Sequence, residues 1–145
     1  MHDLLTSPAF NLYALASTVL ALHLLALALW TGTLRALKKQ YVNPEDAAFN
    51  KAEAAGADHP DVARTRRAHA NALENALPFF VVGALYALSG ATRTGALVYF
   101  SVFVAARLLH SVFYLWGRQP WRTLMFVVGV LDVIGMAVQV LEAVA

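Results

Sequence analysis

The chain contains no cysteine. Disulfides and thiolate metal ligands are therefore excluded, and any thiol chemistry must use a thiol carried by a substrate. Charge is scarce as well: Lys and Arg number 11 and Asp and Glu 9 in 145 residues, a formal net charge of +2. So small a surplus leaves no broad basic face to follow a phosphate backbone, which argues against nucleic acid as a partner. The scarcity is sharpest in two stretches, residues 4 to 34 and 75 to 92, which hold no Asp, Glu, Lys or Arg at all. Crossing a hydrocarbon core takes about 20 helical residues, so each stretch contributes to a span. With 59% apolar residues and a mean hydropathy of +0.57, the composition is that of a small polytopic membrane protein. Period-two alternation, the mark of a membrane barrel, is missing too. Met1 to Leu5 lack a basic start and the apolar run behind them is too long for a signal peptide, so the run reads as a retained first span.

What is present are four helical segments, at about 10–34, 61–89, 94–116 and 121–144, the second apolar from about 73 and extended upstream by polar turns, joined by short connections and one polar loop at about 35–60. In lipid only helices or closed barrels satisfy their own backbone, so the expected fold is all-α: an integral, polytopic four-helix bundle forming one membrane domain over residues 1–145. Ser89-Gly90 and Gly117 mark helix ends, and Gln119-Pro120 opens the last helix with proline in its tolerated first turn. In the loop, Asn43-Pro44-Glu45-Asp46 has the order of an N-cap, an N1 proline and a first-turn acid pair, and Asp58-His59-Pro60-Asp61 repeats it. Basic residues collect in the first connection and its flanks (Arg35, Lys38, Lys39, Lys51, Arg64, Arg66, Arg67) and in the third (Arg118, Arg122), against Arg93 alone in the second. The positive-inside rule then places the first and third connections in the cytoplasm and both termini on the opposite side.

On that topology the polar residues gather in the cytoplasmic half. Arg67, Asn71 and Glu74 follow i, i+4, i+7 spacing in the second span, and Arg107, His110 and Tyr114 follow i, i+3, i+7 in the third, so each trio shares a face. A charge at the bilayer centre costs about 2.5–3.5 kcal/mol even on insertion scales, so Arg107 and Glu74 are expected to face the bundle, and a pair between them is the economical solution. Pro78 removes the donor for the Glu74 carbonyl and is expected to bend the second span beside the cluster. Polar groups within a membrane also serve to join helices. The number of them in one leaflet favours an anionic polar ligand here, while His23, and Asp132 with Gln139, read as interhelical hydrogen-bonding residues, and His69 reads equally well as a structural histidine or as part of the polar cluster. Trp30, Trp116 and Trp121 fall near span ends, where aromatic belts sit.

The string from Arg66 to Phe79, RRAHANALENALPF, resembles the signature of the MAPEG family, the membrane-associated proteins in eicosanoid and glutathione metabolism. The likeness continues in Asn43 to Ala47, in Ala106 to Leu115 and in Pro120 to Thr123, so it spans most of the chain. It implies a four-helix protomer, a homotrimer and glutathione held near the cytoplasmic side between neighbouring subunits. By position, Arg35, Asn71, Glu74, His110 and Tyr114 correspond to tripeptide-binding residues and Arg107 to a structural or binding arginine. Arg67, from its place on the polar stripe of the second span, and Phe126, as a wall for the apolar substrate, join the candidate binding set, and Arg122 with Thr123 corresponds to the pair beside the sulfur. Asp46 matches an acid placed near the thiol in the prostaglandin synthase branch, although it reads equally well as a first-turn helix acid.

The resemblance also separates branches: Ala70 and Phe126 stand where the synthase branch carries an arginine and a tyrosine, and both favour the microsomal glutathione transferase branch. Ala72 stands where Asp is common, and Thr123 where the synthase branch has a serine. The implied activity is a glutathione transferase or peroxidase acting on lipophilic electrophiles or lipid hydroperoxides drawn from membrane lipid, with a prostaglandin E synthase-like isomerase as the alternative. A transporter or a non-catalytic scaffold fits less well, because no interrupted spans recur in matching halves and a scaffold has no use for Arg122 and Thr123 at a helix start. No metal site is expected.

Overall fold

The computed structural model describes residues 7–145; the start of the chain read as lacking a leader lies outside them. Five helices follow in order: α1 Pro8–Lys38, α2 Pro44–Phe49, α3 Pro60–Leu88, α4 Arg93–Trp116 and α5 Trp121–Val144. Four of these, α1, α3, α4 and α5, are long and apolar enough to cross a membrane. Leu15, Leu22, Leu25 and Leu29 of α1, with Leu131, Ile134 and Leu141 of α5, stand exposed on the outside of the bundle. In water such a surface would aggregate; against acyl chains it carries no penalty.

Local chemistry sets the helix ends. The Ser7 hydroxyl accepts from the Phe10 N–H ahead of Pro8, and Thr92 does the same for Gly95. His59, rather than Asp58, caps α3 through Nδ1, which accepts from the Asp61 N–H at 3.2 Å. Pro120 sits one position earlier than expected, at the cap of α5 rather than inside its first turn. Gly117 ends α4 with φ +67, a left-handed conformation that favours glycine, and a β-carbon there would lie 2.9 Å from Arg64 Nη1. The α3 helix continues through Pro78 without a break.

Within the bundle α1 packs on α3 and α4, and α5 packs on the opposite side of that pair, so α1 and α5 do not touch. An aromatic core joins the layers: Phe79 of α3 stacks on Phe103 of α4 at 4.3 Å and meets Phe100 edge-on, with Tyr13 of α1 alongside. Polar cross-links fix the helix rotations. His23 on α1 bonds Ser111 on α4 at 2.9 Å, Tyr13 donates to the Phe80 carbonyl at 2.8 Å, and Gln139 on α5 donates to the Tyr99 hydroxyl at 2.7 Å. Asp132 departs from the expected role, since it is buried with Oδ2 unpaired among the described residues.

Candidate functional site

Three helices bring their polar faces together at one end of the bundle. Asn71 comes from α3, His110 and Tyr114 from the last turns of α4, and Arg122, Thr123 and Phe126 from the start of α5; together they line a cavity of about 270 Å³. The short turn that Gly117 permits folds α5 back along α4, which sets Arg122 beside Tyr114, with the guanidinium carbon 4.7 Å from the ring centroid. His110 lies under both aromatics, its ring 5.7 Å from Tyr114 and 6.4 Å from Phe126.

Below this cavity a cleft of about 420 Å³ runs between α3 and α5, sharing Asn71 and Phe126 with it. Its upper rim is polar, with Glu74 and Asn75, and its depth is apolar, with Pro78, Phe103, Gly129 and Val133. The combined space therefore has a cationic, hydrogen-bonding end and an apolar end. That combination suits a polar anion meeting a lipophilic molecule.

Arg107 is only 1% exposed, yet its partner is not Glu74. Nη2 donates to Asn71 Oδ1 at 2.8 Å and lies 3.3 Å from His110 Nδ1, leaving Nε and Nη1 unpaired among the described residues. The expected Arg107–Glu74 ion pair is absent among those residues. Three residues along a helix turn the side chain by about 60°, so Asn71 faces α4 while Glu74, exposed in the protomer, borders the cleft towards α5. Gly129 packs against the arginine, and a β-carbon there would meet Arg107 Cδ in ordinary contact at 3.4 Å.

Other candidate residues lie elsewhere. Arg67 is exposed at the start of α3, outside both spaces. Arg35 is on α1, which does not reach α5, and its Nε donates to Asp58 Oδ1 at 3.2 Å; Arg66 Nη1 donates to Asp58 Oδ2 at 2.6 Å. Burial of Asp58 pushes its carboxyl up, but the two guanidiniums outweigh that and hold it below the usual carboxylate range. Asp46 is exposed on α2, where its carboxylate accepts from the Asn43 side-chain amide at 3.0 Å. Among the described residues no cluster of His, Asp or Glu is arranged to hold a metal.

One contributor escaped the sequence reading. Gln119, in the turn before α5, contacts both Arg122 and Thr123. Its signal was a polar side chain three and four residues ahead of two candidate site residues at a helix start, the spacing at which caps reach back into a first turn.

Residues 13–141 match the family model described as MAPEG family. The chain is 36% identical to Prostaglandin E synthase of Homo sapiens over 142 residues, 97% of this chain and 93% of that protein. It is 40% identical to Microsomal glutathione S-transferase 1 of Rattus norvegicus over 140 residues, 93% of this chain and 88% of the relative. The human protein of that name is 36% identical over 148 residues, 99% of this chain and 96% of its own length.

Proposed function

Because the chain belongs to the MAPEG family and is a multi-pass integral membrane protein, we propose that it is a glutathione-dependent membrane transferase, with peroxidase activity, that ionises the glutathione thiol for attack on lipophilic electrophiles or lipid hydroperoxides. The observation that carries this reading is the convergence of Arg122 and Thr123, at the start of α5, with Asn71, His110 and Tyr114 on one cavity.

A thiol with an unperturbed pKa of about 8.5 is only a few per cent ionised at neutral pH, and lowering it by two units takes about 2.7 kcal/mol. A charge-assisted hydrogen bond from Arg122 supplies about 1.5–3 kcal/mol of that, and the N-terminus of α5 about 0.3–1 kcal/mol more. The Thr123 hydroxyl adds a second bond to the sulfur in this reading. The thiolate then displaces a leaving group from an electrophile, forming the carbon–sulfur bond as that group departs with the electron pair. With a hydroperoxide it attacks the distal oxygen, releasing the alcohol and a sulfenic acid that a second glutathione converts to the disulfide and water. The electrophile enters from the lipid and rests in the apolar cleft.

In this reading Asn71, Glu74, His110 and Tyr114 bind the tripeptide, Arg107 orders Asn71 and His110, and Arg67 and Arg35 meet its carboxylates from the rim. Arg35 is too far round the bundle to do so within its own protomer, which favours a homotrimer in which a neighbour supplies it. The site faces the cytoplasm, a reading that the excess of basic residues in the first and third connections supports. A prostaglandin E synthase-like isomerase is the second reading, favoured by the likeness to the human enzyme of that name. Phe126, which has no hydroxyl to offer the sulfur, places it second.

Titrating the detergent-solubilised protein with glutathione while following ultraviolet thiolate absorbance tests the proposal. A thiolate band at neutral pH that saturates with glutathione is expected. Saturable binding without ionisation would exclude thiolate chemistry.

A further inference from the structure

The side chain of Gln119 lies against the start of α5. With its amide oxygen toward the guanidinium, Oε1 accepts from Arg122 Nε at 3.2 Å and Nη2 at 2.6 Å, while Nε2 donates to Thr123 Oγ1 at 3.0 Å. The opposite amide orientation, in which the Thr123 hydroxyl donates to Gln119 Oε1 at 3.0 Å, sets the amide nitrogen against the donors of Arg122. Only the first orientation gives Arg122 Nε and Nη2 an acceptor on Gln119 and the Gln119 amide nitrogen an acceptor on Thr123.

The geometry points to Gln119 as a positioning residue that aims Arg122 and Thr123 at the thiolate. This rests on the thiolate reading of the site. A guanidinium has five N–H donors, and Gln119 takes one from Nε and one from Nη2, leaving both of Nη1 and one of Nη2 for a ligand. Tyr114 fixes the plane of the group from its face while Gln119 fixes its rotation from its edge. Thr123 receives a hydrogen bond instead of spending its own proton on Gln119, so its hydroxyl is free to donate into the cavity it lines.

The amide is also the right chemistry for the task. A carboxylate at this position would hold the guanidinium at least as firmly, but it would offset the positive charge that the sulfur requires. A neutral acceptor orders Arg122 and leaves its charge available to the anion.

The test compares Gln119→Ala and Gln119→Glu with wild type in detergent, reading the bound-thiolate absorbance against pH, the kinetics of 1-chloro-2,4-dinitrobenzene conjugation and the affinity for S-methylglutathione, which has no thiol to ionise. Loss of aim in Gln119→Ala is expected to lower kcat about ten- to hundredfold, as misplacing a catalytic group does. The thiolate band should shift to higher pH by about one unit in both variants. S-methylglutathione affinity should stay within about threefold of wild type, since its binding gains nothing from the aim of Arg122. Unchanged thiolate titration in both variants would overturn the proposal while leaving the thiolate reading intact. Parallel loss of S-methylglutathione binding would overturn it too, by showing that Gln119 only supports the fold. Absence of a thiolate band in wild type would sink the underlying reading, and this proposal with it.

Discussion

Arg107 donates from Nη2 to Asn71 Oδ1 across 2.8 Å, so the most buried cation of the bundle is tied to a neutral amide on α3 rather than to a carboxylate. The arrangement keeps its positive charge behind Asn71 and His110, which line the cavity. It also makes Asn71 a shared part, lining both the cavity and the cleft while holding α3 against α4.

Asn71 and Arg107 are therefore expected to be coupled in stability, and Glu74 and Arg107 are not. Removing the Asn71 amide leaves a further donor of Arg107 unpaired in a low-dielectric interior, at about 1–3 kcal/mol. A double-mutant cycle of Asn71→Ala with Arg107→Met should give a coupling above about 0.5 kcal/mol, whereas Glu74→Gln with Arg107→Met should be additive within that margin. Thermal unfolding in one detergent measures both. Coupling confined to the Glu74 cycle would show that the membrane-embedded protein pairs these charges after all.

Arg122→Ala is expected to retain glutathione binding and to lose most turnover. The side chain is half-buried at the edge of the bundle and its contacts are with Tyr114 and Gln119, so the fold does not depend on it. One charge-assisted bond to the thiolate, at about 1.5–3 kcal/mol, corresponds to a rate loss of about ten- to a hundredfold. Conjugation kinetics equal to wild type would rule the residue out.

How far this site could be read before the fold was known depends on what each residue's position depends on. Asn71, His110 and Tyr114 follow from helical spacing in the second and third spans, and Arg122, Thr123 and Phe126 from the start of the last helix, because a 3.6-residue period and a glycine turn leave those side chains little freedom. The preference of Arg107 for Asn71 over Glu74 was not legible. It is decided by the rotation of α3 relative to α4, a difference of about 60° that packing such as Phe79–Phe103 establishes. The clamp of Asp58 between Arg35 and Arg66 joins two helices through a loop, and no local pattern encodes it. Gln119 was read as punctuation before a proline, when its side chain reaches forward into the next helix.

Asp58 gives the fold an acid-sensitive joint outside the membrane. Its carboxyl is held below the ordinary range, so the stabilisation is fully present above the unfolded value of about 3.9 and disappears as pH falls through the depressed folded value. Asp58→Asn should lower stability by about 1–2 kcal/mol at neutral pH, a figure moderated by the exposure of Arg66. The gap between the two proteins should stay constant from neutral pH to about pH 5 and close below the folded value. Melting curves at several pH values read it, and a gap that widens on acidification would contradict the clamp.

The last expectation concerns the choice between transferase and isomerase. Ala70 precedes Asn71 on an exposed face of α3, and Phe126 lies in the wall shared by the cavity and the cleft. An arginine at position 70 would bring one more guanidinium to the rim, where a single charge-assisted contact with a tripeptide carboxylate is worth about 1.5–3 kcal/mol. Ala70→Arg is therefore expected to tighten glutathione binding at least tenfold at low salt while leaving the rate of conjugation almost unchanged, because the added contact is the same in ground and transition states. Phe126→Tyr adds a hydroxyl within the wall near Thr123, so it should change turnover more than affinity. Wild type should conjugate an aryl halide and reduce a lipid hydroperoxide faster than it converts prostaglandin H to prostaglandin E, and the double variant should narrow that difference. Side-by-side assays of all three substrates decide it: rapid stereospecific isomerisation by wild type, with negligible conjugation and peroxidase activity, would reverse the order of the two readings, because the sulfur would then be serving isomerisation without a phenol at position 126.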